Sequence, residues 1–520
     1  MLAAFEIRDC LGRPRDGILV NQNGPSCRPV RPPPARPCDV SLPSDPTATT
    51  PAAGARAPSP ASLHVSLPVS LPARLDLLLT GVDIVTGEAG RPELRDATLG
   101  VLDGRIAWLG DAPPPGLPVA QTLDLPGRVV TPGFVNVHNH AILTMVRGVA
   151  ADLGFAPSYT PGIPKGTDVT PAQARAFARL GACEMLLSGS TLVGDNFVHA
   201  DVTTEAMAEL GLRLAPSWRV HDVDFARVAH GEWRFDPAIG RRTLDGALAL
   251  AERWRGHSRI TPNIGAHAAD TCSEDFLREI AAASAALDLR VNTHLGQSEV
   301  EVERVRARTG RRSTQVFEDT GLLGPRLMGG HCIYVDDDDI ARMARAGAHA
   351  IHIPKCNAAS GRLAPTPKLA AAGVNIALAT DTQHGDMVEL MRWALATARV
   401  QCGGVDDVWQ PARVFEMATM GGARALGLAD SIGSLAIGKC ADFVVFDFRR
   451  PHLVPRVDLL GNLVHTAQGR DVEHVAVDGE WLVRDARPTR IDLGRVCAEA
   501  EQAARELWGA AGRSYWEPRR

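Results

Sequence analysis

The residues of this chain with the clearest capacity for chemistry lie in Thr131-Pro-Gly-Phe-Val-Asn-Val-His-Asn-His. Side chains alternate faces along an extended strand, so His138 and His140 point the same way, roughly 6.6 Å apart. Two imidazoles at that spacing can grip one metal ion. The pair alone is a weak signal, since polar residues at a strand end also serve ordinary hydrogen bonding, and further ligands must come from elsewhere. Val291-Asn-Thr-His, Met328-Gly-Gly-His, Ala377-Leu-Ala-Thr-Asp and Asn263-Ile-Gly-Ala-His each end a short apolar run on a candidate: His294, His331, Asp381 and His267.

A nitrogen-rich set with one carboxylate suits Zn2+, Fe2+ or Mn2+ better than Mg2+ or Ca2+. No lysine stands at the strand carrying His267, so one divalent ion is expected instead of a lysine-bridged pair, with Zn2+ ranked first. Such an ion lowers the pKa of water toward ~7 and makes a nucleophile at neutral pH. Asp381 would take the proton. His331 would either hydrogen-bond the nucleophile or the tetrahedral oxygen, or act as a further ligand, and His267 would contact substrate.

Positioning these residues requires a particular architecture. Apolar strand candidates occur at 128–138, 190–195, 212–217, 260–266, 290–293, 327–330, 348–353 and 375–379, separated by alanine-rich helical stretches such as the one opened by Thr170-Pro171. Eight strands alternating with helices imply a parallel sheet with right-handed crossovers and an α/β fold, the (β/α)8 TIM barrel, with its active site at the carboxyl ends of the strands. Both flanks of this region return to strand composition. Asp103-Gly104 and Asp478-Gly479, each between apolar runs, predict β-hairpins. The expected organisation is a disordered Pro/Ala/Arg-rich tail at 1–73, a composite β-sandwich from 74–127 and 432–490, a barrel at 128–431, and a carboxyl-terminal helix and tail at 491–520.

A net charge of -5 argues against a nucleic-acid or anionic-membrane surface, and no apolar run approaches the ~18 residues of a membrane span. The amino terminus lacks a basic start followed by a long apolar run, and the ten cysteines show no Cys-x-x-Cys spacing. A cytoplasmic protein with reduced thiols and a small-molecule substrate is therefore expected.

From about residue 75 to 485 the sequence resembles the amidohydrolase superfamily, in the branch of cytosine deaminase, S-adenosylhomocysteine deaminase and the atrazine-type triazine hydrolases. The resemblance rests on Pro132-Gly-Phe-Val-Asn-Val-His-Asn-His, His267-Ala-Ala-Asp-Thr-Cys-Ser, Thr293-His-Leu-Gly-Gln-Ser-Glu, Gly330-His-Cys, His352-Ile-Pro-Lys-Cys-Asn and Thr380-Asp. It implies His138, His140, His294 and Asp381 as metal ligands, His331 as a proton-transfer partner or extra ligand, and a homo-oligomer. It also implies deamination of a cyclic amidine or related heterocycle.

Two departures bear on the chemistry. Deaminases of this branch carry His-x-x-Glu where this chain has His294-Leu-Gly-Gln297, and glutamine orients substrate without donating a proton as an acid. Glu299 and Glu301 are the nearby replacements, though both suit the opening of a helix. The loop Asp381-Thr-Gln-His-Gly-Asp is also unusual, and places His384 as a further substrate contact with Gln297. Phe155 and Tyr159, in a Gly- and Pro-rich insert, are lid candidates. An alternative reaction is hydrolysis of an amide, urea, carbamate or halogenated triazine bond, and a non-catalytic scaffold is the third reading.

Overall fold

The computed structural model describes residues 72–150, 163–228, 231–382 and 384–510. The expectations for the tail at 1–71 and for Phe155 and Tyr159 lie outside the described residues.

The chain opens with β1 (Leu75–Val85), β2 (Glu93–Leu102), β3 (Arg105–Gly110), β4 (Val119–Asp124) and β5 (Arg128–Pro132). Asp103 and Gly104 both take positive φ between β2 and β3, the geometry of a type I′ hairpin turn. Next come β6 (Phe134–Asn139), β7 (Ser190–Phe197), β8 (Arg213–Leu214), β9 (Ser217–Val220), β10 (Asn263–Ala268), β11 (Val291–Leu295), β12 (Leu327–His331), β13 (His349–His352) and β14 (Ile376–Leu378). The order β6-β7-β9-β10-β11-β12-β13-β14 is parallel throughout, with β8 attached to β7. A bridge between Asn139 and Asp381 closes β6 against the end of β14, which makes an eight-stranded barrel.

Helices cover the outside. The helix Pro171–Leu187 begins as the sequence predicts: Thr170 accepts from the Gln173 amide while Gln173 reaches back to the Thr170 amide. The barrel interior is filled by Val135, Val137, Leu192, Met328, Ile351 and Ala377, all buried, so this is a packed core with a site at one mouth.

After the barrel, β15 (Phe443–Asp447), β16 (Val472–Val477), β17 (Glu480–Arg484) and β18 (Arg487–Pro488) join the opening strands in one nine-stranded sheet. The Asp478-Gly479 turn again has positive φ at both positions. This sheet curls until Arg105 at the start of β3 bridges Cys440, just ahead of β15, and so encloses its own core of Leu79, Ile84, Leu99, Phe443 and Val445. The last helix is Leu493–Ala510. No helix among the described residues is long and apolar enough to cross a membrane.

Two strand expectations are corrected. The run 128–138 is two strands: β5 pairs with β1 and β15 in the outer sheet, and the barrel begins only at β6. The break falls at Pro132-Gly133, and a Cβ at 133 would lie 2.0 Å from Thr191 Oγ1. The boundary at 128 is thereby corrected, because β5 belongs to the chain-end sheet. The third barrel strand is β9 at Ser217–Val220 and not 212–217, since Pro216 separates it from the two-residue β8.

Candidate metal centre

The polar groups at the barrel mouth are set by strand ends. His138 lies inside β6 and His140 just after it, with both side chains buried. His294 lies in β11, His331 ends β12, and Asp381 follows β14 where it completes the barrel. His140 N–H donates to the Asp381 carbonyl at 2.8 Å, and Asp381 N–H donates to the His138 carbonyl at 3.1 Å. Asn139 adds bonds from its amide to the Asp381 carbonyl (3.0 Å) and to Thr380 Oγ1 (2.9 Å). Asn136 holds the same hydroxyl at 2.7 Å. The seam that closes the barrel therefore also fixes His138, His140 and Asp381 relative to one another.

Three imidazoles converge. The Nε2 atoms of His138 and His140 are 3.2 Å apart, and those of His140 and His294 are 3.4 Å apart. Asp381 Oδ1 lies 3.3 Å from His140 Nε2 and 3.7 Å from His138 Nε2. His331 stacks on His294 with ring centroids 5.5 Å apart and stands slightly outside this group.

Every ring is anchored through its other nitrogen. His138 Nδ1 meets Asn292 Oδ1 at 2.7 Å, and Asn292 is itself oriented by donating to the Val137 carbonyl at 3.1 Å. His140 Nδ1 meets the Asn196 carbonyl, His294 Nδ1 meets the His267 carbonyl at 2.7 Å, and His331 Nδ1 meets Asn357 Oδ1 at 3.1 Å. Carbonyl oxygens only accept, so the Nδ1 atoms carry the protons and the Nε2 lone pairs face inward. Burial, then the neighbouring His140, lowers the His138 pKa to about 3, and burial followed by His138 holds His294 well below its ordinary value. Burial alone would raise the Asp381 carboxyl. Contact with His140 and the nearby His331 and His138 outweigh it and hold the group below the usual carboxylate range.

This arrangement sets acceptor against acceptor in a desolvated site, which only a cation makes favourable. The spacing fits one: tetrahedral ligands each ~2.05 Å from Zn2+ lie about 3.3 Å from one another. His138, His140 and His294 are the buried group that could hold an ion, with Asp381 beside them. The outward Nδ1 bonds are the supports that metal-ligating histidines require.

The backbone carries a further mark. Asp381 (φ 62°) and His331 (φ 68°) both occupy the left-handed region, a conformation that costs a non-glycine residue on the order of 1 kcal/mol and clusters at functional sites.

Other expected site residues are placed less centrally. His267 lies in β10 with Nδ1 on Thr271 Oγ1 at 2.7 Å and its ring 4.9 Å from that of His294. Gln297 is half-buried on the loop after β11. The His384 ring nitrogens are buried with no hydrogen-bond partner among the described residues, and burial, then Lys355, lowers its pKa to about 4. Sequence reasoning missed Asn292, Asn357, Asn136 and Asn139. Asn292 had a usable signal, since it lies two residues before His294 and so on the same face of the strand. It also missed Phe197, 5.4 Å from the His140 ring. Arg219, which the sequence offers after the third strand as a grip for an aromatic or anionic group, places its guanidinium over Phe197 and Phe225 at 5.1 and 4.3 Å.

Residues 129–482 match the amidohydrolase family. The chain is 36% identical over 419 residues to a 5-methylthioadenosine/S-adenosylhomocysteine deaminase of Desulforudis audaxviator (strain MP104C), covering 78% of this chain and 94% of that protein. It is 32% identical over 443 residues to a 5'-deoxyadenosine deaminase of Methanosarcina acetivorans, covering 83% of this chain and 98% of the relative. Among solved structures, an adenosine deaminase from Xanthomonas campestris with bound zinc superposes with a TM-score of 0.75 at 25% identity, over 84% of this chain and 99% of the other. A triazine hydrolase from Arthrobacter aurescens shares the fold, with a TM-score of 0.76 at 22% identity, over 83% of this chain and all of that one.

Proposed function

This chain belongs to the amidohydrolase family, and from that premise we propose that it is a metal-dependent hydrolase that deaminates an amino-substituted heterocycle. The observation that carries the reading is the convergence of three inward Nε2 lone pairs and the Asp381 carboxylate, each ring tied off behind by a hydrogen bond. His138, His140, His294 and Asp381 would hold one divalent ion, with Zn2+ ranked ahead of Fe2+ and Mn2+. When bound, the ion supplies a Lewis acid and brings the pKa of water toward ~7.

The protein's own groups do the rest. Asp381, kept ionised, accepts a proton from the attacking water and delivers it to the departing amine, so that water and the amine become a ring carbonyl and ammonia. His331, tied through Nδ1 to Asn357, directs Nε2 toward the site and hydrogen-bonds the attacking oxygen. His267, Gln297 and His384 contact the heterocycle. Gln297 orients the ring without protonating it, which leaves proton transfer to Asp381 and His331. Deaminase relatives of this chain take small-molecule substrates by name, and the described cysteines are free thiols, which supports a cytoplasmic setting.

Ammonia release against aminopurine nucleosides, aminopyrimidines and aminotriazines is the test, with at least one class expected to turn over. A flat panel sinks the deaminase reading. Halide release from a halogenated triazine would select the alternative that Gln297 favours, and failure to take up stoichiometric metal would select a scaffold.

A further inference from the structure

The loop between the metal-site strand β11 and the helix Glu299–Thr309 contains an arrangement that ordinary helix capping does not explain. Ser298 is the N-cap, and its side chain accepts from the Glu301 amide at 3.1 Å. In a capping box the acidic residue at the third helical position reaches back to the cap residue's own N–H. Glu301 occupies that position but reaches further. Its Oε2 accepts from the Gln297 amide at 2.8 Å, and its Oε1 accepts from the Gly296 amide at 3.0 Å and from Ser313 Oγ at 2.8 Å.

The carboxylate is fully buried, with 0% exposure, so it cannot touch a substrate. What it grips is the two-residue link that leads from the His294 strand to the Gln297 side chain. Gly296 sits there at φ 57°, and a Cβ at that position would stand 3.4 Å from the Tyr334 backbone. Glycine gives the link its bend, and Glu301 holds it there.

We propose that Glu301 is the positioning residue for Gln297: its buried carboxylate fixes the backbone from which Gln297 is presented to the heterocycle. The inference rests on the deaminase reading for the identity of the ligand, and on the hydrogen bonds alone for the grip. It also resolves the two acidic candidates of the sequence. Glu299 is exposed at the helix opening, while Glu301 acts through the backbone and not as a proton donor at the substrate.

The test is a double-mutant cycle on the metal-loaded full chain. Glu301→Gln keeps the shape but turns an N–H of its own toward one of the three donors. It is expected to lower kcat about 10- to 100-fold with KM changed less than about threefold, and Gln297→Ala to lower kcat by a similar factor. The double variant is expected to match Gln297→Ala within about threefold, because nothing is left to position. Multiplying losses would show that Glu301 merely supports the fold, and would overturn the inference while leaving the deaminase reading intact. Ser313→Ala, which removes one donor and keeps the carboxylate, repeats the cycle in a milder form should Glu301→Gln fail to fold.

Amide hydrogen exchange supplies the arm that needs no turnover. The Gly296 and Gln297 amides are expected to exchange at least about tenfold faster in Glu301→Gln than in the unmodified chain. Unchanged exchange overturns the inference whether or not any amine is hydrolysed.

Discussion

Two polar clusters of this molecule, one of arginines and aspartates and one of histidines with a single aspartate, differ in what they lack. At the junction of barrel and outer sheet, Arg213 of β8 makes a two-pronged contact with Asp442 at 2.9 and 3.1 Å and reaches Asp478 at 2.6 Å, while Arg259 meets the other Asp478 oxygen at 2.8 Å. Asp442 also accepts from the Asp478 amide at 2.9 Å. Each donor there meets an acceptor, and the cluster is complete. At the barrel mouth every donor is used up pointing outward, and the acceptors are left facing each other. A finished cluster joins two layers of a fold. An unfinished one, with its acceptors turned on one another in a buried site, marks a place for a cation.

The widest separation between them should come from Asp381→Ala. Turnover is expected to fall by on the order of 10^4, about 5.4 kcal/mol, measured as kcat on the metal-loaded chain. Turnover kept within tenfold would erase the distinction. Arg213→Met should do the opposite. Buried Asp442 loses its guanidinium partner and Asp478 one of its two, so a stability loss of about 3–5 kcal/mol is expected in chemical melts, with kcat changed less than threefold. A stable variant with impaired kcat would place that cluster in the catalytic machinery. The smallest effect sharpens the contrast within the metal site: Asn292→Ala, by freeing the His138 ring, should weaken metal affinity about 10- to 100-fold in competition with a chelator. Unchanged affinity would mean that packing alone orients His138.

Much of this arrangement was legible in the residues. His138 and His140 share a face because strands alternate, and helices begin at Thr170 and Ser298 because side-chain oxygens satisfy free amides. Pro132-Gly133 was legible as punctuation, but the change of sheet there was not, because it depends on β5 pairing with the distant β1 and β15 while β6 pairs with β7. Gln297 was visible as a departure, but the grip of Glu301 on its backbone was not, because capping sequences look the same whether the acid reaches the cap or passes beyond it.

The sequence by itself determined the residue types at the strand ends, the barrel and the hairpins, since each depends on side-chain chemistry and local backbone preference. Only the tertiary structure decided that Asn292, Asn357 and the carbonyls of Asn196 and His267 turn the imidazoles inward, and that barrel closure brings Asp381 within 3.3 Å of His140. Those contacts join residues as far as 241 positions apart, and no local spacing encodes which buried oxygen will meet which ring.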